Sequence, residues 1–309
     1  MTATAAAVGE GTLQSRGHWA HTRQRLVRQP ATLAALAILA ALLTAGGFAH
    51  ELAPQGWNAI DLSARWANHA PTISGWHLLG TDNIGRDVLV RTLYGIHDTE
   101  LSALLGALIA TLVGLTVGGI AGLHGGWLDV TLMRIADLVT AFPAMVLMLA
   151  AFAFISPVTT TTATLVFAGY MWTFVARVTR ARFSALGAEE FVMAARALGA
   201  SDTRIFLRHL LPNAAGALLV SATSLVGQIV LLEATVEFVG FGVSSQVNPT
   251  LGNLIADATS SGIGAYGFLN LGWWVWAGPA IALVLILVCT NIAGDGLDTA
   301  LNPRIGGRR

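Results

Sequence analysis

The sequence has no lysine, one cysteine and few charges of either sign. Only 11% of its 309 residues are charged, against about 25% in soluble globular chains. With 54% hydrophobic residues and a formal net charge of zero, a water-soluble globular reading is excluded before any motif is read. All 17 basic residues are arginine, and no long basic run offers a nucleic acid its phosphate grip. The single cysteine, Cys289, makes no intrachain disulfide and no cysteine-rich metal site. Set in an apolar run, it reads as a small buried side chain. The eight histidines are scattered without ligand spacing, and no phosphate-binding Walker motif occurs. No internal repeat is visible, and no nucleophile or metal constellation marks a membrane-embedded enzyme.

Long apolar runs are what the sequence has instead. A membrane-spanning helix needs about 20 mostly apolar residues. Six segments meet or approach that length without Asp, Glu, Lys or Arg: Ala31 to Ala49, Leu101 to Leu123, Leu138 to Ile155, Thr159 to Ala176, Ala214 to Leu232 and Gly272 to Gly294. Only Ser156, Pro157 and Val158 separate the third from the fourth, which predicts a helical hairpin. The first segment follows 30 polar residues and is long for a cleaved leader, so it reads as a retained span. With the N-terminus inside, 14 of the 17 arginines fall on the cytoplasmic side, and only Arg65, Arg86 and Arg91 lie outside. That bias predicts an N-in, C-in topology. Trp273, Trp274 and Trp276 would form an interfacial belt at the outer end of the last span.

The expected organisation is therefore a cytoplasmic tail (1–30), a first span (31–49), an external loop (50–100), a transmembrane core (101–294) and a second cytoplasmic tail (295–309). Within the core lie a cytoplasmic loop at 177–213 and an external loop at 237–271. In the first external loop, apolar residues at 88, 89, 90, 93 and 94 predict a short helix lying on the membrane surface. Gly114, Gly118 and Gly122 stand at the four-residue spacing of closely packed helices, and Pro143 and Pro279 can each kink a span.

The cytoplasmic loop is the most informative stretch. From Arg180 to Asn213 it reads as helix, turn, helix. Gly199 suits the left-handed stop of the first helix, Ser201 or Asp202 can cap the second, and Pro212 marks the start of the next span. Ala194, Ala195 and Leu198 put small and apolar atoms on one face, which lets another protein approach closely.

Here the chain resembles the permeases of ABC importers. Their coupling loop carries Glu-Ala-Ala, a glycine four residues after the second alanine, and a later Leu-Pro. Ala194, Ala195, Gly199, Leu211 and Pro212 occupy those positions, while Met193 replaces the lead glutamate and Glu189 and Glu190 lie just upstream. The resemblance sharpens to the second ("C") permease of dipeptide, oligopeptide and nickel importers. Its motifs match His77 to Asp87, Gly125 to Asp129 with Met133-Arg134, Arg208-His209 to Asn213, Glu233-Ala234 with Phe238 to Gly242, and Gly294 to Arg304. Two departures, Glu237 and the 244–252 stretch, lie on the external side.

The resemblance implies an all-α polytopic membrane protein of about six helices with the type I ABC importer permease fold, in the bacterial cytoplasmic (inner) membrane. The implied partners are a homologous second permease, two ABC ATPase subunits or one fused ATPase, an extracellular or periplasmic substrate-binding protein and membrane lipid, with no nucleic acid. Cofactors are absent from this chain, and ATP and Mg belong to the ATPases. The implied ATPase-coupling residues are Glu189, Glu190, Ala194, Ala195, Gly199, Ala200, Ser201, Arg208, His209, Leu211 and Pro212. Candidate pathway or external contacts are Glu233, Glu237, Asp82, Arg86 and Asp87. Glu237 reads as an interfacial side chain in water, Glu233 as the better gate candidate, and Asp82, Arg86 and Asp87 as a local turn and helix-cap network. The cargo implied is a dipeptide or oligopeptide, with nickel or another small solute as the alternative. A stand-alone secondary transporter would require repeats, interrupted spans and charge at midplane, and a structural scaffold would leave the ordered loop without a purpose.

Overall fold

The computed structural model describes residues 26–61, 70–72, 77–260 and 272–301. The tail to residue 25, Arg65 and the C-terminal residues from 302, with their arginines, lie outside the described residues, as do 261–271 of the second external loop. The described residues form helices, with no strand beyond two isolated bridges, Ile60 with Arg86 and Thr81 with Asp87.

Helix α1 (Pro30–Gly47) starts on a proline, whose missing N–H costs nothing in a first turn. A short α2 (Ala49–Leu52) follows. Helix α3 (Val88–His124) runs 37 residues without a break, about 55 Å at 1.5 Å per residue. That exceeds the roughly 30 Å hydrocarbon layer, so its first turns stand outside it. The short surface helix expected near Arg86 to Tyr94 is in fact the beginning of α3. Asp87 caps it by accepting from the Val90 N–H at 3.0 Å, and Arg91 is buried rather than laid on a lipid surface.

The third predicted span is not straight. Helix α4 (Gly126–Thr140) and helix α5 (Ala144–Phe154) meet at an 80° bend across Ala141, Phe142 and Pro143. Pro143 has no N–H to give and its ring collides with the carbonyl four residues back, while Phe142 is pushed out of helical geometry. Helix α6 (Thr160–Gly187) then returns, opened by a reciprocal cap between Thr159 and Thr162. Among the described residues, four single helices (α1, α3, the run Asp202–Phe238 and the final helix) are long and apolar enough to cross a membrane, and the bent pair counts as a fifth if it forms one broken span. With 28 residues α6 has the length of a sixth, and its threonines and the exposed Arg177 dilute its apolar content.

The 177–213 loop folds, after the end of α6, as α7 (Glu190–Ala197), α8 (Asp202–Ile205) and a π-turn over Phe206–Leu210 that feeds α9 (Leu211–Phe238). Pro212 therefore does not begin the span; the helix is continuous through it. The wider turn, in which the Leu211 N–H bonds to the Phe206 carbonyl, makes room for the proline ring. Helix α10 (Leu251–Ser260) packs on the outer side, and α11 (Trp273–Leu301) closes the bundle.

Helices α3 and α6 lie against each other along most of their length. A Cβ added at Gly114 would sit 2.5 Å from Val175 Cβ, and one at Gly122 would sit 2.7 Å from the Arg180 carbonyl oxygen. At Gly118 it would overlap the backbone of Ala176. Thr32 packs on Gly296, so the start of α1 and the end of α11 share one end of the bundle with the 177–213 loop. That end also carries the arginines from Arg177 to Arg208. Of the three tryptophans expected in a belt, Trp273 is exposed, but Trp274 is buried and donates from Nε1 to the Thr81 carbonyl at 3.2 Å.

Replacing Gly118 by alanine drives a methyl into backbone that cannot move aside, and should cost about 1–3 kcal/mol. A lowered melting temperature of the purified protein is expected. Gly169, on α6 with nothing within 4 Å of its added Cβ, should tolerate alanine to within about 0.5 kcal/mol. Equal melting temperatures for the two variants would contradict the close approach.

Candidate functional site

The 189–212 segment is an ordered, anchored projection. Helix α7 stops in a Schellman arrangement: the Gly199 N–H bonds to the Arg196 carbonyl at 2.9 Å and the Ala200 N–H to the Ala195 carbonyl at 3.0 Å. Gly199 takes φ +80° there, which is why a glycine is needed. Of the two capping candidates Ser201 is the cap, accepting from the Arg204 N–H at 3.4 Å. Val192, Ile205 and Leu210 are fully buried and pin the segment to the bundle, helped by an edge-on Phe183–Phe206 contact with centroids 5.2 Å apart.

Its outer face carries the residues singled out in the sequence. Glu189, Glu190, Ala194, Gly199, Ser201, Arg208 and Pro212 are exposed. Ala195, Ala200, His209 and Leu211 are half-buried, and His209 lies against Phe191 at 6.3 Å between ring centroids. Leu198 is 89% exposed and Met193 52%. Phe191 and Leu207 are exposed as well, so the segment presents several bulky apolar side chains on its outer face.

Ion pairs that sequence reading missed brace this end. Arg180 grips Asp129 through two hydrogen bonds, Nε to Oδ1 at 2.5 Å and Nη2 to Oδ2 at 2.6 Å. Arg177 donates from Nη2 to Asp137 Oδ1 at 3.0 Å and to Thr140 Oγ1 at 2.6 Å. Both tie α4 to α6. The aspartate closing the Gly-Gly-Trp-x-Asp motif was the available signal, but its partner lies 51 positions away.

At the outer end, Asp82, Arg86 and Asp87 do form a turn and cap network. Asp82 Oδ1 accepts from the backbone N–H of Ile84 and Arg86, at 3.1 and 2.9 Å. Asp82 Oδ2 accepts from Arg86 Nε at 2.7 Å and Arg91 Nη1 at 3.0 Å. One carboxylate thus holds a turn and two guanidiniums, all buried. Beside it His77 bridges two elements, with Nδ1 2.7 Å from Asp87 Oδ2 and Nε2 3.4 Å from Asp61 Oδ2.

Glu237 is not in water. It is 3% exposed, and its Oε2 accepts from Thr250 Oγ1 at 2.5 Å at the start of α10. Helix α9 ends one residue later in a second Schellman stop, with Gly240 at φ +93° and the Phe241 N–H bonded to the Val236 carbonyl at 3.1 Å. The Phe-x-Gly-x-Gly motif is that stop, and it turns the chain back so that α10 lands on Glu237. Gly252 permits the landing, since an added Cβ would lie 2.6 Å from Glu237 Oε2. Glu233 is 1% exposed, and neither of its oxygens meets hydrogen-bonding geometry with a described residue. Glu100, read as the end of the external loop, is instead within α3 and 5% exposed. Three carboxyls are therefore buried in α3 and α9, and the structure does not join them to the Asp82 network.

Burial disfavours the His77 imidazolium, but the hydrogen bonds to Asp87 and Asp61 and their charges outweigh it and raise its pKa above the ordinary value. Only the doubly protonated ring donates at both nitrogens. The clip is thus complete below the ordinary imidazole value of about 6.5 and is lost as pH rises through the higher folded value. Deuterium uptake at the Asp61 amide, which donates to the Gly85 carbonyl at 2.9 Å, should rise with pH beyond the intrinsic rate. His77→Gln should flatten that excess; uptake following the intrinsic rate alone from about pH 5 to 9 would count against the clip.

Comparison with known proteins bears on the whole arrangement. Residues 114–307 match the family of binding-protein-dependent transport system inner membrane components. The oligopeptide transport system permease protein OppC of Mycobacterium tuberculosis is 37% identical over 285 residues, 91% of this chain and 92% of that protein. The OppC protein of Haemophilus influenzae is 31% identical over 303 residues, 96% of this chain and 92% of that one. A chain of the MetNI methionine ABC transporter, solved in inward-facing conformations, shares the fold with a TM-score of 0.55. It is 22% identical, covering 70% of this chain and 96% of its own. By family match and by relatives spanning nearly its full length, this chain belongs to the binding-protein-dependent transport system inner membrane components and is a multi-pass permease subunit of an ABC importer.

Proposed function

We propose that the chain imports peptides across the bacterial inner membrane, forming the pathway with a homologous second permease and taking energy from ATPase subunits, separate or fused. The carrying observation is the exposed, anchored projection from Glu189 to Pro212. It offers apolar Met193 and Leu198 to a partner while Val192, Ile205 and Leu210 hold it to the spans. Movement of a docked ATPase is thereby passed to α6 and α9, the two helices that the projection joins. ATP and Mg belong to those partners, and this subunit performs no covalent chemistry. A binding protein on the other side delivers the peptide toward α10 and the Asp82 turn. The oligopeptide reading rests on the names carried by relatives 31–37% identical over most of this chain.

The lever reading makes Gly199 a sensitive position. No atom lies within 4 Å of its added Cβ, so a first side-chain carbon there meets open space. Valine brings left-handed backbone strain of about 1–2 kcal/mol, which resets the angle between α7 and α8. In proteoliposomes containing the whole transporter, Gly199→Val should keep ATP hydrolysis and lose most peptide uptake. Uptake at the wild-type rate, with the variant fully assembled, would sink the lever.

A further inference from the structure

We infer that Arg86 and Arg91 form a carboxylate-binding site on the external side, in which Asp257 is an exchangeable occupant. The inference deepens the importer reading above and rests on it. Arg86 and Arg91 are 4% and 3% exposed, and both lean on the single carboxylate of Asp82. One carboxylate cannot serve two guanidiniums fully. Arg86 Nη1 and Arg91 Nε have no hydrogen-bond partner among the described residues. A buried donor left unpaired costs about 1–3 kcal/mol, and folded proteins rarely retain two side by side without a use.

The remaining anion contact is weak. Asp257 Oδ2 lies 3.4 Å from Arg91 Nη2, and its side chain is 38% exposed. A cavity of about 210 Å³ is bordered by Asp82, Asn83, Arg86, Arg91, Gln246 and Asp257, so an entering anion meets the Asp82 carboxylate as well as the two guanidiniums that carboxylate already serves. A carboxylate entering it meets Arg91 where Asp257 now sits. Once it displaces Asp257, its two oxygens can occupy Arg91 Nη2 and a donor that is now unpaired, the fork geometry that guanidinium favours. Charge agrees: with Asp257 withdrawn, two guanidiniums face Asp82 alone and one positive charge is left over.

Exchange at this site has a mechanical effect. Asp257 belongs to α10, whose first residues are held separately: the Leu251 N–H donates to Thr99 Oγ1 at 3.1 Å and Thr250 to Glu237. Releasing Asp257 removes the ionic tie between α10 and α3, while Ala258 stays packed with Val88 and the beginning of α10 stays fixed. The arriving carboxylate has two sources, the C-terminus of the cargo peptide or an acidic side chain of the binding protein.

The test uses the complete transporter in nanodiscs and its binding protein, loaded with a peptide free acid or with the C-terminal amide of the same peptide. Asp257→Asn removes the competing charge and keeps the shape, so association of the loaded binding protein should tighten several-fold. A gain lost with the amide assigns the carboxylate to the cargo; a gain kept assigns it to the binding protein. An unchanged or weakened Kd with both ligands, repeated with Asp257→Ser, overturns the site. A wild-type complex that binds no binding protein at all removes the importer reading itself, and this inference with it.

Discussion

The contact on which the bundle depends is the seam between α3 and α6. In lipid, helices gain nothing from leaving water, because the surroundings are as apolar as their side chains. Close packing must supply the association instead, and Gly114, Gly118 and Gly122 bring α3 within backbone distance of Val175, Ala176 and Arg180. Around this pair the other helices take their places. Helix α9 lies on both, with Ile229 against Gly106; α11 carries α1 through Thr32 and Gly296. The seam also aligns the two functional ends. At its inner end α6 leads directly into the projecting segment, and at its outer end α3 bears Arg91 and the Asp87 cap.

The two ends hold charge differently. The inner braces, Arg180 with Asp129 and Arg177 with Asp137, sit in half-exposed positions where water screens them, so each contributes little alone. The Asp82 network is almost wholly dry. There, removal of Asp82 would leave Arg86 without its anion and Arg91 with Asp257 alone, and the arrangement has few alternatives to its present form. The inner end can thus move against its neighbours at low cost, whereas the outer turn moves as a unit.

Much of the topology was legible because it follows from composition along the chain. Charge-free runs of about 20 residues are visible without a partner, and so is the arginine bias. One helix stop was legible too, since Gly199 announces a left-handed residue, whereas the stop at Gly240 stood in the sequence only as part of a family motif. What escaped was anything set by distant contact. Glu237 looks interfacial until α10 folds back and Thr250 bonds to it. Arg91 looks like a surface residue until Asp82 is brought beside it by a turn. Trp274 reads as a lipid anchor by position, yet its N–H is taken by Thr81, 193 residues earlier. The bend at Pro143 was available as a possibility, but its 80° size was not.

The π-turn at Phe206–Leu210 carries a geometric consequence for everything beyond it. It holds one more residue than an α-turn in the ring closed by the Leu211 N–H and the Phe206 carbonyl. Each residue of an α-helix advances the azimuth by about 100°. Were the ring to tighten by that one residue, α9 would be rephased by nearly a third of a revolution, and Ile229, Glu233 and Glu237 would all face different helices. The outer face of the bundle is therefore indexed from its inner end, by a single hydrogen-bonded ring placed between the projecting segment and the span.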